Sequence, residues 1–308
     1  MKVFQHFGLV ALFVLVPNSV QAQVPVVDTP PPGVIELLDE SSCIYPTCGP
    51  KTLLSWSCCP PSFEVDLSEP LVTDRPDFTE ASSVVGYGRT QLEMGYSYTY
   101  DNAAGTSVVT ETFPEILLRT GILREWLELR VGWTIIDEST RVGGQGRTSQ
   151  IGSDDLYLGL KIALTEQCDL LPEMAIMPQM TVPTGSGGHS NDKILPGVNW
   201  LYSWELSDCL SIAGSTQANR ARETGGHAYT EFAQSAAIGY SIHNNLSIYG
   251  EWYGQMPHSA LSTQTKHYFN GGFAYLVTND FQVDFRAGLG LNSAADDYVA
   301  GAGFAWRF

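Results

Sequence analysis

From about residue 89 onward, apolar and polar positions alternate with a period of two. Leu92, Met94, Tyr96, Tyr98 and Tyr100 make one apolar stripe, and Leu127, Leu129, Val131, Trp133 and Ile135 make another. Leu156 to Leu164, Val198 to Leu206 and Phe281 to Leu291 repeat the pattern. A period of two predicts strands with one apolar face. Each run is roughly ten residues long, which is what a tilted strand needs to cross a bilayer. Twelve strands are expected, near 90–100, 113–121, 126–136, 153–164, 171–183, 196–206, 209–218, 229–240, 246–255, 266–277, 281–290 and 297–308.

The connections between these strands sort by length. Long ones are expected near 101–112, 137–152, 184–195, 219–228, 256–265 and 291–296, and short ones near 122–125, 165–170, 207–208, 241–245 and 278–280. Long loops on one side and tight turns on the other are a property of outer-membrane barrels, and an even strand count leaves both ends on the side of the tight turns. Tyr298, Phe304, Trp306 and Phe308 share one face of the last strand. An aromatic closing strand is the kind of feature the barrel-assembly machinery reads, so Phe308 is expected to serve that partner.

The parity of the stripes assigns the charges. Glu93, Glu115, Arg119, Glu128, Arg130, Asp155, Lys161, Glu173, Glu205, Glu231, Glu251, Asp284, Arg286 and Arg307 all fall on the polar face, and no charge falls at an outward position within a strand body. A charge facing lipid at the midplane costs about 2–4 kcal/mol for Arg or Lys. The polar face therefore points inward, into the lumen. Glu115 and Arg119 beside Glu128 and Arg130, and Asp284 and Arg286 near Arg307, suit a ladder of salt bridges across the lumen or a charged constriction. The inward set holds nine acids and five bases, with the acidic excess expected toward Glu173, Glu205, Glu231 and Glu251. Carboxylate-rich pores favour cations, which predicts a narrow, weakly cation-selective channel.

The first 88 residues read differently. Lys2, the apolar stretch Phe7 to Val16, Pro17 and Val20-Gln21-Ala22 predict a signal peptide over residues 1–22. Residues 23–88 are expected to form a periplasmic segment rich in Cys and Pro, ahead of a barrel over 89–308. Export permits disulfides. Cys43, Cys48, Cys58 and Cys59 allow three pairings, while Cys168 and Cys209, each in a short turn on the same side, are expected to bond to each other. The spacing of the Cys and His residues does not suit a metal, and no cofactor is expected.

Composition narrows the function. The net charge is −17 and only 16% of residues are charged. Such acidity argues against nucleic acid as a partner and leaves outer-membrane lipid and a small-molecule solute. His189-Ser190-Asn191-Asp192, after the Gly-rich Thr184 to Gly188, places a base beside a nucleophile. Adjacent residues in a Gly-rich loop rarely hold the geometry of serine catalysis. The expectation is a channel and not an enzyme, with a structural or adhesive barrel as the first alternative and a membrane-embedded hydrolase as the second.

The stretch Thr73-Asp74-Arg75-Pro76-Asp77-Phe78-Thr79-Glu80 carries a resemblance, with Gln91, Glu93, Gly95, Tyr96 and Tyr98 after it. Leu127 to Gly132, Gly152 with Asp154-Asp155-Leu156, Gly159 with Lys161, and Val182-Pro183-Thr184-Gly185 extend it. Over about residues 71–308 the chain resembles the outer-membrane transporter family named for the meta-cleavage (MetA) pathway of phenol degradation. The resemblance implies a transporter in the bacterial outer membrane, for small solutes including aromatic or other hydrophobic compounds. The family motif Asp74, Arg75, Pro76 and Asp77 reads physically as extended chain, because Pro76 biases Arg75 away from helix. It is expected either to anchor inside the periplasmic mouth or to form a solvated linker.

Overall fold

The computed structural model describes residues 69–143 and 146–308. The expected signal peptide, and with it Cys43, Cys48, Cys58 and Cys59, lie outside the described residues. Thirteen strands make one antiparallel sheet: β1 (Thr90–Ala103), β2 (Thr106–Gly121), β3 (Leu127–Val142), β4 (Arg147–Ser153), β5 (Leu156–Thr165), β6 (Glu173–Val182), β7 (Leu195–Ser207), β8 (Leu210–Arg222), β9 (Ala228–His243), β10 (Leu246–His258), β11 (Lys266–Thr278), β12 (Phe281–Gly290) and β13 (Tyr298–Arg307). The sheet closes on itself, since β13 pairs with β1 from Gln91↔Arg307 to Tyr100↔Tyr298. β4 and β5 both pair with β3, one above the other and one residue out of step. They are a single wall strand interrupted by a bulge at Asp154-Asp155, so the barrel has twelve strands.

The apolar stripes stand outside. Trp133, Trp200, Phe269, Phe285 and Leu289 are all exposed on the outer surface. The alternate positions are buried, and they are polar: Gln91, Glu93, Arg119, Glu128, Arg130 and Lys161 are almost completely shielded from solvent. A water-soluble barrel has the reverse arrangement. An apolar outside and a charged inside belong to a barrel whose outer solvent is lipid.

Two expected loops are not loops. Residues 101–112 continue β1 and β2 up to a tight turn at Ala104-Gly105, where both residues have positive φ (50° and 82°). Such a pair is what a two-residue hairpin turn requires. Likewise β3 runs on to Val142 and β4 returns from Arg147, inside the predicted loop 137–152. Asp101, Asn102, Ser107, Thr110, Glu111, Asp137 and Thr140 give these extensions polar residues on both faces, so no alternation marks them. The extensions also turn two carboxylates outward. Glu111 accepts from the hydroxyl of Tyr96 at 2.7 Å, and Asp137 accepts from Ser149 at 2.8 Å. Both sit toward the tight-turn end of the hairpins, past the apolar stripe.

The longer connections at that end are 183–194, 223–227, 259–265 and 291–297, and the opposite end carries 122–126, 166–172, 208–209, 244–245 and 279–280. In an outer-membrane barrel the second end is periplasmic. The direction of the apolar face is checked by moving a charge onto it. Phe285→Arg, at the middle of β12, is expected to cost about 2–4 kcal/mol in vesicle refolding titrations. Gln217→Arg, facing the lumen, is expected to cost far less.

Candidate functional site

The lumen is occupied by the chain itself. Residues 71–85 have neither a period-two nor a helical pattern, and they form no strand. They enter from the periplasmic end, where Leu71 N–H donates to the Asn279 carbonyl at 2.7 Å and Arg307 donates to the Glu69 carbonyl at 2.6 Å. They leave at the same end. Val85 N–H donates to Glu128 at 2.9 Å, Tyr87 bridges to Gly121, and Gly86 and Gly88 with positive φ turn the chain into β1. The segment is a U-shaped plug with its apex at Pro76 to Thr79.

A buried chain without a sheet or helix must still satisfy its backbone groups. Inward side chains of the wall do this. Glu93 accepts from Asp74 N–H at 3.1 Å, and Glu251 accepts from Phe78 N–H at 2.8 Å and Thr79 N–H at 2.6 Å. Carbonyls are met by cations: Val72 by Arg119 at 3.1 Å, Pro76 by Arg286 at 3.2 Å and Ala81 by Lys161 at 2.7 Å. Ser82 adds a side-chain tie to Glu173 at 2.6 Å, with Ser203 Oγ 2.7 Å away.

Charge binds the plug more tightly still. Asp74 pairs with Lys161 at 2.8 Å, with Arg119 at 3.4 Å and with Arg130. Glu128 bridges Arg119 at 2.8 Å and Arg130 at 3.0 Å, Glu93 pairs with Arg119 at 3.0 Å, and Glu80 with Arg130 at 2.7 Å. Arg75 spans Glu115 at 3.0 Å and Asp284 at 3.3 Å. Its guanidinium lies against Gly95 and Gly303, which face each other across β1 and β13. At the apex the Phe78 ring stacks on Tyr253 (4.3 Å, 4°), which stacks on Tyr268 (4.8 Å, 19°). Beside the apex a cavity of about 490 Å³ opens, bounded by Asp77, Phe78, Tyr157, Gln179 and Asn199 among others.

Several sequence expectations change here. Glu93, Glu115, Arg119, Glu128, Arg130, Glu251, Asp284 and Arg286 do come together, but around the plug and not as a ladder across an empty lumen. Glu115 and Asp284 both pair with Arg75 of the plug. Arg307 pairs instead with Asp280 at 2.7 Å, at the rim. The acidic side wall is not found as expected. Glu251 and Glu173 are engaged by plug donors, Glu205 is exposed at the periplasmic rim, and Glu231 is half-buried beyond the plug. Asp155 does not serve as a bare lumen charge either, because it accepts from Gly185 N–H at 3.0 Å and Asn191 N–H at 2.9 Å and pins the Gly-rich loop. Asp74, Arg75, Pro76 and Asp77 are the rising arm and apex of the plug. The segment drawn as periplasmic over 23–88 thus lies inside the barrel from Leu71.

The Cys168–Cys209 disulfide is also corrected, since both are free thiols. The two turns are joined by Gln167, whose side chain bonds the backbone of Glu205 at 2.6 and 2.9 Å. Cys209 turns away, with its sulfur 3.6 Å from Ser207 and its carbonyl accepting from Ser241 N–H at 2.8 Å. In the Gly-rich loop, Ser190 Oγ accepts from Asp192 N–H at 3.1 Å, which makes it a local cap. The sequence missed Phe78, Thr79, Glu80 and Ser82 as lumen residues, because an irregular segment carries no periodic signal.

The sequence profile of the family described as "Putative MetA-pathway of phenol degradation" matches residues 73–308. The chain belongs to this family. The match begins in the plug, so plug and barrel are one family unit. No curated protein matches the chain. Among solved structures it is similar to the COG4313 outer membrane channel from Pseudomonas putida F1, at 12% identity and TM-score 0.60, over 74% of this chain and 98% of that one. Two others are more distant. The KdgM porin in complex with disordered oligogalacturonate gives 10% identity and TM-score 0.44, over 70% of this chain and 99% of the porin. The CymD monoaromatic hydrocarbon channel gives 12% identity and TM-score 0.37, over 73% of this chain and 89% of the channel. The first of these likenesses supports the fold, a closed twelve-stranded barrel of the outer-membrane channel kind.

Two predictions test how this family member holds its lumen. Glu128→Gln leaves Arg119 and Arg130 with a neutral partner where each had a carboxylate. Breaking a buried pair in this way costs about 3–5 kcal/mol, to be read from denaturant titration of the detergent-folded protein. Glu205→Gln at the rim is expected to change stability by less than about 0.5 kcal/mol. At the other mouth, Glu223 clasps the loop 259–265, accepting from Ser262 N–H at 2.7 Å and Thr263 N–H at 2.8 Å. These N–H groups hold its carboxyl down at about 2. A lowered carboxyl stabilises the clasp above its ordinary value of 4.5, and that contribution is lost as pH falls toward 2. Protease cleavage of the loop is expected to stay flat above pH 5 and to rise between pH 4.5 and 2. Glu223→Gln should remove the rise.

Proposed function

We propose that this chain is a channel of the bacterial outer membrane that admits small solutes past a polar plug, aromatic or other hydrophobic compounds among them. The observation that carries the reading is the kind of contact that holds the plug. Almost every tie between residues 71–85 and the wall is a hydrogen bond or an ion pair, and such ties can be exchanged for water one by one. An apolar plug would have to expose its surface all at once. The family description supports an aromatic solute. The apolar outer face suits outer-membrane lipid, and β13, with Phe304 and Trp306 and with Phe308 directly after it, is what the barrel-assembly machinery would read. A non-catalytic role agrees with the binding of Ser190 by its own loop. The ordered plug also favours the second reading, a structural barrel that passes nothing.

A lock on the plug separates these. Ser82 and Ser203 lie Oγ to Oγ at 2.7 Å, close enough for a pair of sulfurs to bond. In a background with every native Cys replaced by Ser, Ser82→Cys with Ser203→Cys is expected to pass small neutral solutes when reduced and to lose at least ten-fold of that flux when oxidised, as read by liposome swelling. Equal flux in both states would show that solutes do not need the plug to move. No flux from folded wild-type protein, across sugars, amino acids and aromatic alcohols, would favour the structural barrel.

A further inference from the structure

The cavity beside the plug apex has an unbalanced charge. Seven carboxylates and two guanidiniums line it. Four of the carboxylates, Asp74, Glu80, Glu93 and Glu115, are ion-paired, and Asp155 is taken up by backbone N–H groups. Of the guanidiniums, Arg75 is paired with Glu115 and Asp284, while Arg286 donates to the Pro76 carbonyl and to Ser97 Oγ at 2.8 Å, meets no carboxylate in an ion pair, and keeps a buried Nε without a partner. Two acids outnumber the one unpaired guanidinium: Asp77, and Asp154, whose Oδ1 accepts the Asp155 N–H at 2.7 Å. Among the described residues no ion pair reaches either of them. A second observation points the same way. Glu93 is buried to 1% exposure, lines the cavity, and has no partner for its Oε2. A carboxylate oxygen shielded from bulk water and left without a donor is costly.

The rest of the lining says what kind of cation fits. Among the described residues no three His, Cys, Asp or Glu side chains come together as a metal site would need. The volume of about 490 Å³ falls in the range of ordinary small-molecule sites, roughly 300–1,000 Å³. Phe78 and Tyr157 contribute aromatic rings to the same wall. Phe78 is held rigid by its stack on Tyr253, so it offers a fixed surface. Aromatic faces attract cations as well as apolar groups. We propose that this cavity is a binding site for a small organic cation with an apolar body, such as an aromatic amine in its ammonium form. The ammonium sits on Asp77 at the plug apex, and the body packs against Phe78 and Tyr157. The proposal rests on the reading that solutes enter this lumen, and it names the class of solute held there.

The test uses the folded full-length protein and three ligands of one shape: benzylammonium, benzyl alcohol and benzoate. Isothermal titration in detergent is expected to rank benzylammonium at least ten-fold above the other two, with an affinity that weakens as salt rises. Asp77→Asn is expected to remove at least ten-fold of that affinity while heat-modifiable mobility on gels shows an intact barrel. Equal affinities for the three ligands in the wild type would overturn the proposal, and that comparison needs no variant. Benzylammonium binding that Asp77→Asn leaves unchanged, in a folded barrel, would overturn it too. Flux is measured separately by liposome swelling. Tight ammonium binding without flux would defeat the channel and keep the site; flux with no ammonium preference would keep the channel and defeat the site.

Discussion

Three cations on neighbouring strands, Arg119, Arg130 and Lys161, point inward and are almost wholly shielded from solvent. The wall offers them two carboxylates, Glu93 and Glu128. The plug adds Asp74, which touches all three cations, and Glu80, which pairs with Arg130. An ion left alone in such a place costs several kcal/mol, so the wall is not self-sufficient and the plug is the missing counter-charge. The constraint runs both ways, because residues 71–85 have no sheet of their own and depend on wall carboxylates for their N–H groups. Barrel and plug each complete the hydrogen bonding of the other.

This mutual dependence explains why the outer-membrane setting and the interior chemistry belong together. The strands must show lipid an apolar face, and a period of two then leaves every other position for the inside. A lumen this narrow fills with side chains, and those side chains are polar because the apolar ones have been used outside. A polar filling can be remade around a solute, whereas an interlocked apolar core loses its packing when anything enters it.

The barrel was legible because its signal is local. Leu127 to Ile135 or Phe281 to Leu291 state their own face within ten residues. The extensions of β1, β2 and β3 were not legible, since Asn102, Thr110 and Thr140 face water on both sides and nothing forces alternation. The plug was hidden for a different reason. Its conformation is set by partners 19 to 210 residues away, such as Glu251 for Thr79 and Asp284 for Arg75. A sequence signal did exist: Arg119, Arg130 and Lys161 outnumber the acids near them on β2, β3 and β5, and an inward excess of cations calls for an acid from elsewhere. The Cys168–Cys209 pairing failed because turns that share an end of the barrel need not touch through the same residue. Gln167 is the one that reaches across.

The pair Gly95 and Gly303 shows how far the wall has been shaped to the plug. They face each other across the seam where the barrel closes, and the Arg75 guanidinium lies flat on both. Glycine inside a strand weakens it, so at a seam it needs a reason. At Gly95 the reason is plain, because the three nearest atoms that a Cβ there would meet all belong to the Arg75 guanidinium. At Gly303 the Met94 carbonyl is also close, so strand packing shares the demand. The slot lets one side chain reach Glu115 on β2 and Asp284 on β12, on opposite sides of the closing pair β1 and β13. Arg75 therefore ties together four consecutive strands across the seam, through contacts that no strand-to-strand ladder supplies. A plug that stitches the closure adds side-chain ties to the ladder between β1 and β13, which makes residues 71–85 part of the fold and not mere filling of the lumen.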